Sequence, residues 1–361
     1  MDFFCIAANE LHGFTVAALK AAGFTASQAQ KAAPVLLHAD LNGHDTHGIA
    51  NLVNVYIAGA RSGEINLAAT GQWISDQGAC ATLDADGGLG LLAGQQAMER
   101  AIDKARDFGI GCVVVRNSSH FGAAGFYASM ALEHGMIGMA MTNLGREPVA
   151  HPLGSMAPLM GTNPISLAAP VAAMPAPFLL DMSTTVCASG KIKQAIRRQQ
   201  TIPTGWLHDA EGREVSDPGA YLDGSAMLPM LGGAYAEQGG HKGLGLGMMV
   251  EILCGVLSGA QTGADFGNPG RNSIGHFFLA LSPEAFGAGE GFRSSMDRLL
   301  QYITQAPVHP AFDPLSYPGA PDLGVRTERL AQGIPVDAAL LEQLDSIAGQ
   351  LGISRITRTA A

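Results

Sequence analysis

The sequence predicts a mixed α/β protein, on three observations. Between residues 71 and 324, short apolar runs closed by Asp, Asn, Gly or Pro alternate with longer stretches of helical periodicity. Residues 8–70 read as helical, and residues 327–353 return to helix. The expected organisation is a helical region 1–70, joined by C-terminal helices in 325–361, and an α/β region spanning 71–324.

Taken in order, Phe14, Ala17, Ala18 and Ala21 share one helical face, and "TASQ" (Thr25 to Gln28) has the form of a capping box opening a second helix. Val35, Leu36 and Leu41 continue the apolar stripe. A third helix is expected just after Gly48, through Leu52, Val53, Tyr56 and Ile57. From Gly71 onward, "CATLDAD", "GCVVVRN", "IGMAMTN", "PISLAAP" and "FLLDMST" read as strands. The stretches "GLLAGQQAMERAIDKARDFG" and "AAGFYASMALEHG" read as helices. The tail from Thr327 to Ile353 is helical, with Asp337 as a cap after Pro335.

Composition narrows the function. Lys plus Arg number 21 and Asp plus Glu 31, a net charge of −10 with no basic cluster, so nucleic acid and anionic membranes are poor partners. The N-terminus has no basic segment before its apolar run, which Asn9 and Glu10 break, and does not read as a signal peptide. The apolar window from Gly243 to Ala260 is too short for a span and carries Glu251, and reads as a buried helix. Five scattered cysteines read as reduced, buried thiols of a cytosolic protein.

Four segments concentrate polar chemistry. "GGLGLLAG" fits G-x-G-x-x-A at Gly88, Gly90 and Ala93, but the second strand ends on Arg116 and Asn117 without the acid that holds a ribose. A strand-to-helix turn that is merely glycine-rich is the commoner origin of such a match. "GHDTHG" places His44 and His47 three residues apart. Zinc wants a third protein ligand, and Asp45 would face elsewhere, so no metal site is expected. His47, beside the hydroxyl of Thr46, suits proton transfer near neutrality; taken alone, a histidine capping the next helix is the commoner case. "RNSSHFGAAGF" ends a strand on His120 and opens a helix with free N–H groups, where an anion or cofactor can approach. "GGHKGLGLG" offers His241 and Lys242 in an open backbone.

Together these segments, with "GTNPISLAAP", "LLDMSTTVCASGKI" and "RTERLAQGIPV", resemble the second type of malate/L-lactate dehydrogenase family, nicotinamide-dependent enzymes that lack the Rossmann fold. The resemblance covers almost the whole chain. It implies a non-Rossmann malate dehydrogenase-like fold whose helical ends pack on a large mixed-sheet region binding cofactor and substrate. It also implies NAD or NADP as cofactor and a small 2-hydroxy or 2-keto acid as substrate, and the expected state is a cytoplasmic homodimer. Reduction of a cyclic or N-substituted imine is the alternative, and a metal-dependent hydrolase a remote one.

Carried over by residue, the resemblance gives Thr46 and His47 as the proton-transfer pair, with His120 competing for the role, and Thr162 as a substrate contact. Cofactor contacts fall on His120, Phe121, Gly122, Ala123 and Ala124, on Asp181, Met182 and Ser183, on His241 and Lys242, and on Pro318 and Gly319. Lys191 stands where imine reductases have an acid, which favours a keto/hydroxy pair and places Lys191 in the catalytic set. Asn51 stands where the family has a carboxylate-clamping arginine, a fork that a neutral amide cannot replace. Arg146 is the expected substitute, with Lys191 and Arg116 as the other candidates; the alternative is a substrate with no simple carboxylate at that end.

Overall fold

The computed structural model describes residues 2–358. The expected regions extend beyond it at residue 1 and residues 359–361, which lie outside the described residues. The framework is a seven-stranded mixed sheet in the order Gln72–Gln77, Cys80–Asp84, Ile110–Ser118, Ile274–Leu281, Ile137–Thr142, Ile165–Ala169 and Phe178–Met182. All five runs read as strands are in it. Cys80–Asp84 and Ile110–Ser118 are parallel, joined by the helix Gly90–Phe108; every other neighbour is antiparallel.

The pairing directions fix where chemistry can gather. Ile110–Ser118, Ile137–Thr142 and Phe178–Met182 all run the same way, whereas Ile165–Ala169 and Ile274–Leu281 run against them. Three strand ends and two strand beginnings therefore meet at one edge of the sheet. Ser118, Thr142, Met182, Ile165 and Ile274 mark that edge.

The helices Gly90–Phe108 and Ala124–Met130 cover one face, and its core includes Leu83, Val113, Val115, Tyr127, Ala140 and Phe278. Val250 and Cys254, in the segment Gly240–Val256, pack on Val114, Met141 and Phe277 of the other. This segment is not buried as expected: Met248, Met249, Ile252, Val256 and Leu257 are exposed on its outer side. Only the stripe facing the sheet supplies core. Cys80 is exposed as well, at the start of a strand next to the sheet edge, against the expectation of buried thiols.

The N-terminal helices Ala8–Ala21 and Ala26–Leu41 pack together, and Thr25 and Gln28 form the expected capping box, at 3.2 and 2.8 Å. A short strand, Phe3–Ile6, precedes them and pairs antiparallel with Ile334–Asp337, tying the two ends of the chain. The helix Ala338–Leu351 packs on Ala8–Ala21, and Asp337 caps it through Leu340 N–H at 2.9 Å. The expected third helix departs from α-geometry: Leu52–Ile57 is a π-helical turn before Ala58–Ser62. A second π-turn, Glu251–Val256, continues the helix Gly240–Val250. Such turns accommodate one extra residue; the first brings the Tyr56 hydroxyl to the region described next, and the second carries Glu251 to Asn143 and Asn163.

Candidate active site

The junction Gly43–Gly48 between the helices is held by a buried carboxylate. Asp40 accepts from Ile49 N–H at 2.8 Å, and burial, opposed by that bond, holds its pKa well above the usual range. A Cβ on Gly48 would lie 1.9 Å from an Asp40 oxygen, so only glycine lets the carboxylate cap the next segment. Arg329 clamps the same junction through the Asp40 carbonyl and the Asp45 carboxylate. With its backbone fixed this way, the turn presents Thr46 and His47 to the sheet edge.

There His47 meets His120. The rings stack with centroids 5.9 Å apart at 21°. Thr46 Oγ1 lies 2.8 Å from His47 Nδ1. His120 Nδ1 accepts from Gly122 N–H at 3.2 Å and lies 2.9 Å from the hydroxyl of Tyr56, which the first π-turn delivers. A backbone N–H can only donate, so His120 Nδ1 carries no proton and its Nε2 does. Burial, reinforced by neighbouring positive groups, lowers His47 to about 4 and His120 to about 3. Both are neutral at pH 7, and each is able to take a proton or hold a hydrogen bond to oxygen.

The pair stands where two lobes of one cleft join. The first, about 400 Å³, is lined by Gly122, Ala123, Ala124, Asp181, Met182 and Ser183, with His44 and Lys191. The second, about 530 Å³, is lined by Asn51, Asn54, His120, Glu147, Lys193 and Asn272, among others. Thr46, His47, Thr162 and Ala188 border both. Next to Thr162, Glu251 accepts from Asn143 and Asn163 Nδ2, each at 2.9 Å, and the Thr162 carbonyl accepts from Thr184 N–H at 2.9 Å.

The first lobe suits a dinucleotide. Small side chains open it, and Asp181 accepts from Gly125 N–H at 2.6 Å, at the start of the helix Ala124–Met130. That carboxylate already occupies the positive helix end, so the lobe offers an acceptor for ribose hydroxyls there. His44 is raised above its usual pKa: burial pulls it down, and Asp322 at 3.6 Å with Asp181 and Asp45 more than reverse this. It is the one cation-prone imidazole beside an otherwise neutral pair. His44 and His47 thus face different partners, Asp322 and Thr46.

The glycine turn plays no part in this lobe. Gly90 N–H donates to Ser119 Oγ at 2.9 Å, and a Cβ on Gly90 would stand 2.0 Å from the Ser119 carbonyl. The glycine lets the helix Gly90–Phe108 press against the backbone carrying His120.

Several expected residues lie elsewhere. Arg146 is turned out of the cleft, its guanidinium bonded to the Asn268 and Gly270 carbonyls, so it is not the substitute clamp. Arg116 pairs with Asp84 at 2.9 Å, away from both lobes. Lys191 is in the first lobe with His44 and His47, its ammonium over the Trp206 ring at 5.8 Å. Phe121 is buried and stacks on His276 at 4.6 Å, bracing the turn from behind. His241 and Lys242 are exposed on the helix Gly240–Val250 and line neither lobe. Pro318 and Gly319 also line neither; the Pro318 carbonyl accepts from Leu179 N–H at 3.0 Å, beside the strand that carries Asp181.

Sequence reasoning passed over Asp40, Tyr56, Asn143 and His276. His276 is wholly buried between Thr142 Oγ1 at 2.7 Å and Ser118 Oγ at 2.8 Å, locking two strand ends at the site. The signal for it was a histidine inside the otherwise apolar run "IGHFFLAL".

A mixed sheet whose cleft gathers paired neutral histidines at the strand ends suits proton-coupled chemistry at a substrate oxygen. The comparisons agree: residues 6–345 match the malate/L-lactate dehydrogenase family, and the chain belongs to it. It is 39% identical to a malate dehydrogenase of Pyrococcus abyssi over 96% of this chain and 94% of that one. It is 36% identical to an L-sulfolactate dehydrogenase of Methanocaldococcus jannaschii over 93% and 94% of the two chains. The solved malate dehydrogenase of Pyrococcus horikoshii superposes with a TM-score of 0.89 at 35% identity, covering 98% of this chain and 97% of that one. The protein is therefore an oxidoreductase of small hydroxy or keto acids, in a family that uses NAD(P).

Proposed function

We propose that this chain interconverts a 2-hydroxy acid and its 2-keto partner, with the dinucleotide in the first lobe and the acid in the second. The observation that carries the reading is the His47–His120 stack, with His47 bordering both lobes and His120 lining the second. A bound nicotinamide supplies or accepts the hydride. Gly122, Ala123 and Ala124 leave room for it, Asp181 holds ribose hydroxyls, and Thr162 faces the reacting carbon from the sheet edge.

His47, partnered by the Thr46 hydroxyl, moves the proton at the substrate oxygen. His120, fixed by Gly122 and Tyr56 with its Nε2 proton toward the cleft, donates a hydrogen bond to the same oxygen. In oxidation the neutral His47 Nε2 accepts the hydroxyl proton; in reduction it returns it. The cofactor is NAD or NADP. Exposed Met248, Ile252, Val256 and Leu257 support a homodimer, which light scattering on Val256→Asp tests by the appearance of monomer. Five free cysteines, with no disulfide among the described residues, accord with a reducing cytoplasm.

The test is a screen of NADH and NADPH oxidation over pyruvate, oxaloacetate, sulfopyruvate, bulkier 2-keto acids and cyclic imines, repeated with His47→Ala. Turnover of a keto acid, lost in the variant, supports the reading. Turnover of cyclic imines alone would replace it with the imine-reductase one, and undiminished turnover in the variant would remove His47 from the mechanism.

A further inference from the structure

The second lobe is unusual in its charge. Its lining carries two carboxylates, Glu64 and Glu147, the amides of Asn51, Asn54 and Asn272, and a single Lys or Arg, which is Lys193. An acid substrate needs a counter-charge there, because a carboxylate stripped of water without one is costly.

Most neighbouring cations are engaged elsewhere, and Lys191, which like Lys193 makes no ion pair among the described residues, lines only the first lobe. Arg116 pairs with Asp84, Arg197 and Arg198 with Asp337, and Arg146 with two loop carbonyls. Arg271 Nε donates to the Gly63 carbonyl at 3.1 Å, and Lys191 lies over Trp206 in the other lobe. Lys193 makes no ion pair among the described residues. It sits on the helix Ser189–Arg197, whose first residues Ser189 and Gly190 line the same lobe. It shares the lining of this lobe with His120, whose pKa is lowered by burial first, then by His47 and by the Lys193 charge.

We infer that Lys193 is the residue that binds the substrate carboxylate and sets the preference for acids, with Asn51 contributing only a neutral amide. This rests on the hydroxy-acid reading above. An ammonium is a compact point charge on a flexible stem, whereas a guanidinium imposes a planar two-bond fit. The lobe should therefore accept carboxylates in more than one orientation, and bind them more weakly as salt rises, since Lys193 is exposed.

The experiment is steady-state kinetics of the full enzyme with its best keto acid and with the uncharged amide of that acid, at saturating cofactor. Lys193→Gln should raise KM for the acid about tenfold, roughly the loss of one charge-assisted bond, with kcat changed far less. KM for the amide should stay within about twofold, as should NADH affinity by nicotinamide fluorescence, because Lys193 does not line the first lobe. Lys193→Arg should hold KM near the parent value, and Asn51→Arg added to Lys193→Gln should restore part of the loss.

An unchanged KM for the acid in Lys193→Gln overturns the assignment and leaves the hydroxy-acid reading standing. An equal rise for acid and amide also overturns it, pointing to a distorted lobe. If the parent enzyme turns over no keto acid with either nucleotide, both readings fall together.

Discussion

Two strand-to-helix turns lie side by side in this protein, and only one is open. The turn after Cys80–Asp84 has the glycines of a nucleotide loop, yet its helix start is filled from within by Ser119 and braced on the carbonyl of the same residue. The turn after Ile110–Ser118 has fewer glycines, yet Gly122, Ala123 and Ala124 face the first lobe and His120 faces the second. Glycine in the first serves packing; small residues in the second serve access. A glycine pattern reports close backbone approach, and what approaches must be settled by geometry.

The largest effect that would sharpen this contrast lies in the open turn. His120→Ala and His47→Ala should each lower kcat by about 10² to 10⁴, the range for a positioned acid–base group, with little change in far-ultraviolet dichroism. Next comes the closed turn. Gly90→Ala forces a methyl into the Ser119 carbonyl and should cost about 1–3 kcal/mol, read as a lower melting temperature, with activity falling because the His120 backbone moves. An unchanged melting temperature would break the bracing account. Ser119→Ala should cost about 1 kcal/mol by leaving Gly90 N–H without its acceptor.

The smallest effect is in pH. Burial lowers His47 to about 4 and His120 to about 3, so both stay neutral and competent as bases well below the usual histidine range. The rate of hydroxy-acid oxidation, as kcat/KM, should stay level from pH 8 to about 5 and decline only as protons add near 4. An inflection near 6.5 would mean that the imidazoles are solvated like free histidine.

Much of this was legible because the deciding signals are local. The five strand runs end on residues that stop strands, the Thr25 box and the Asp337 cap are each read within four residues, and the polar clusters at His47 and His120 stand out from small apolar neighbours. What was missed depends on distant partners. The central strand Ile274–Leu281 is covered on both faces and shows no alternation, and Phe3–Ile6 is a strand only because Ile334–Asp337 pairs with it. Tyr56 was placed in an apolar stripe, since nothing in its own segment shows that a π-turn swings its hydroxyl to a histidine 64 positions away. Arg146 failed for a related reason: a cation in a polar segment looks available until the carbonyls that engage it are known.

The central claim, that the nucleotide is taken by the open turn and its acidic partner, is tested most directly by titrating NADH and NADPH into the parent, Asp181→Ala and Ser119→Ala while following nicotinamide fluorescence. Asp181→Ala should weaken binding about tenfold, the loss of one charge-assisted contact, and Ser119→Ala should leave it within about twofold. Weakened binding in Ser119→Ala with Asp181→Ala unaffected would place the nucleotide at the glycine turn and contradict the account.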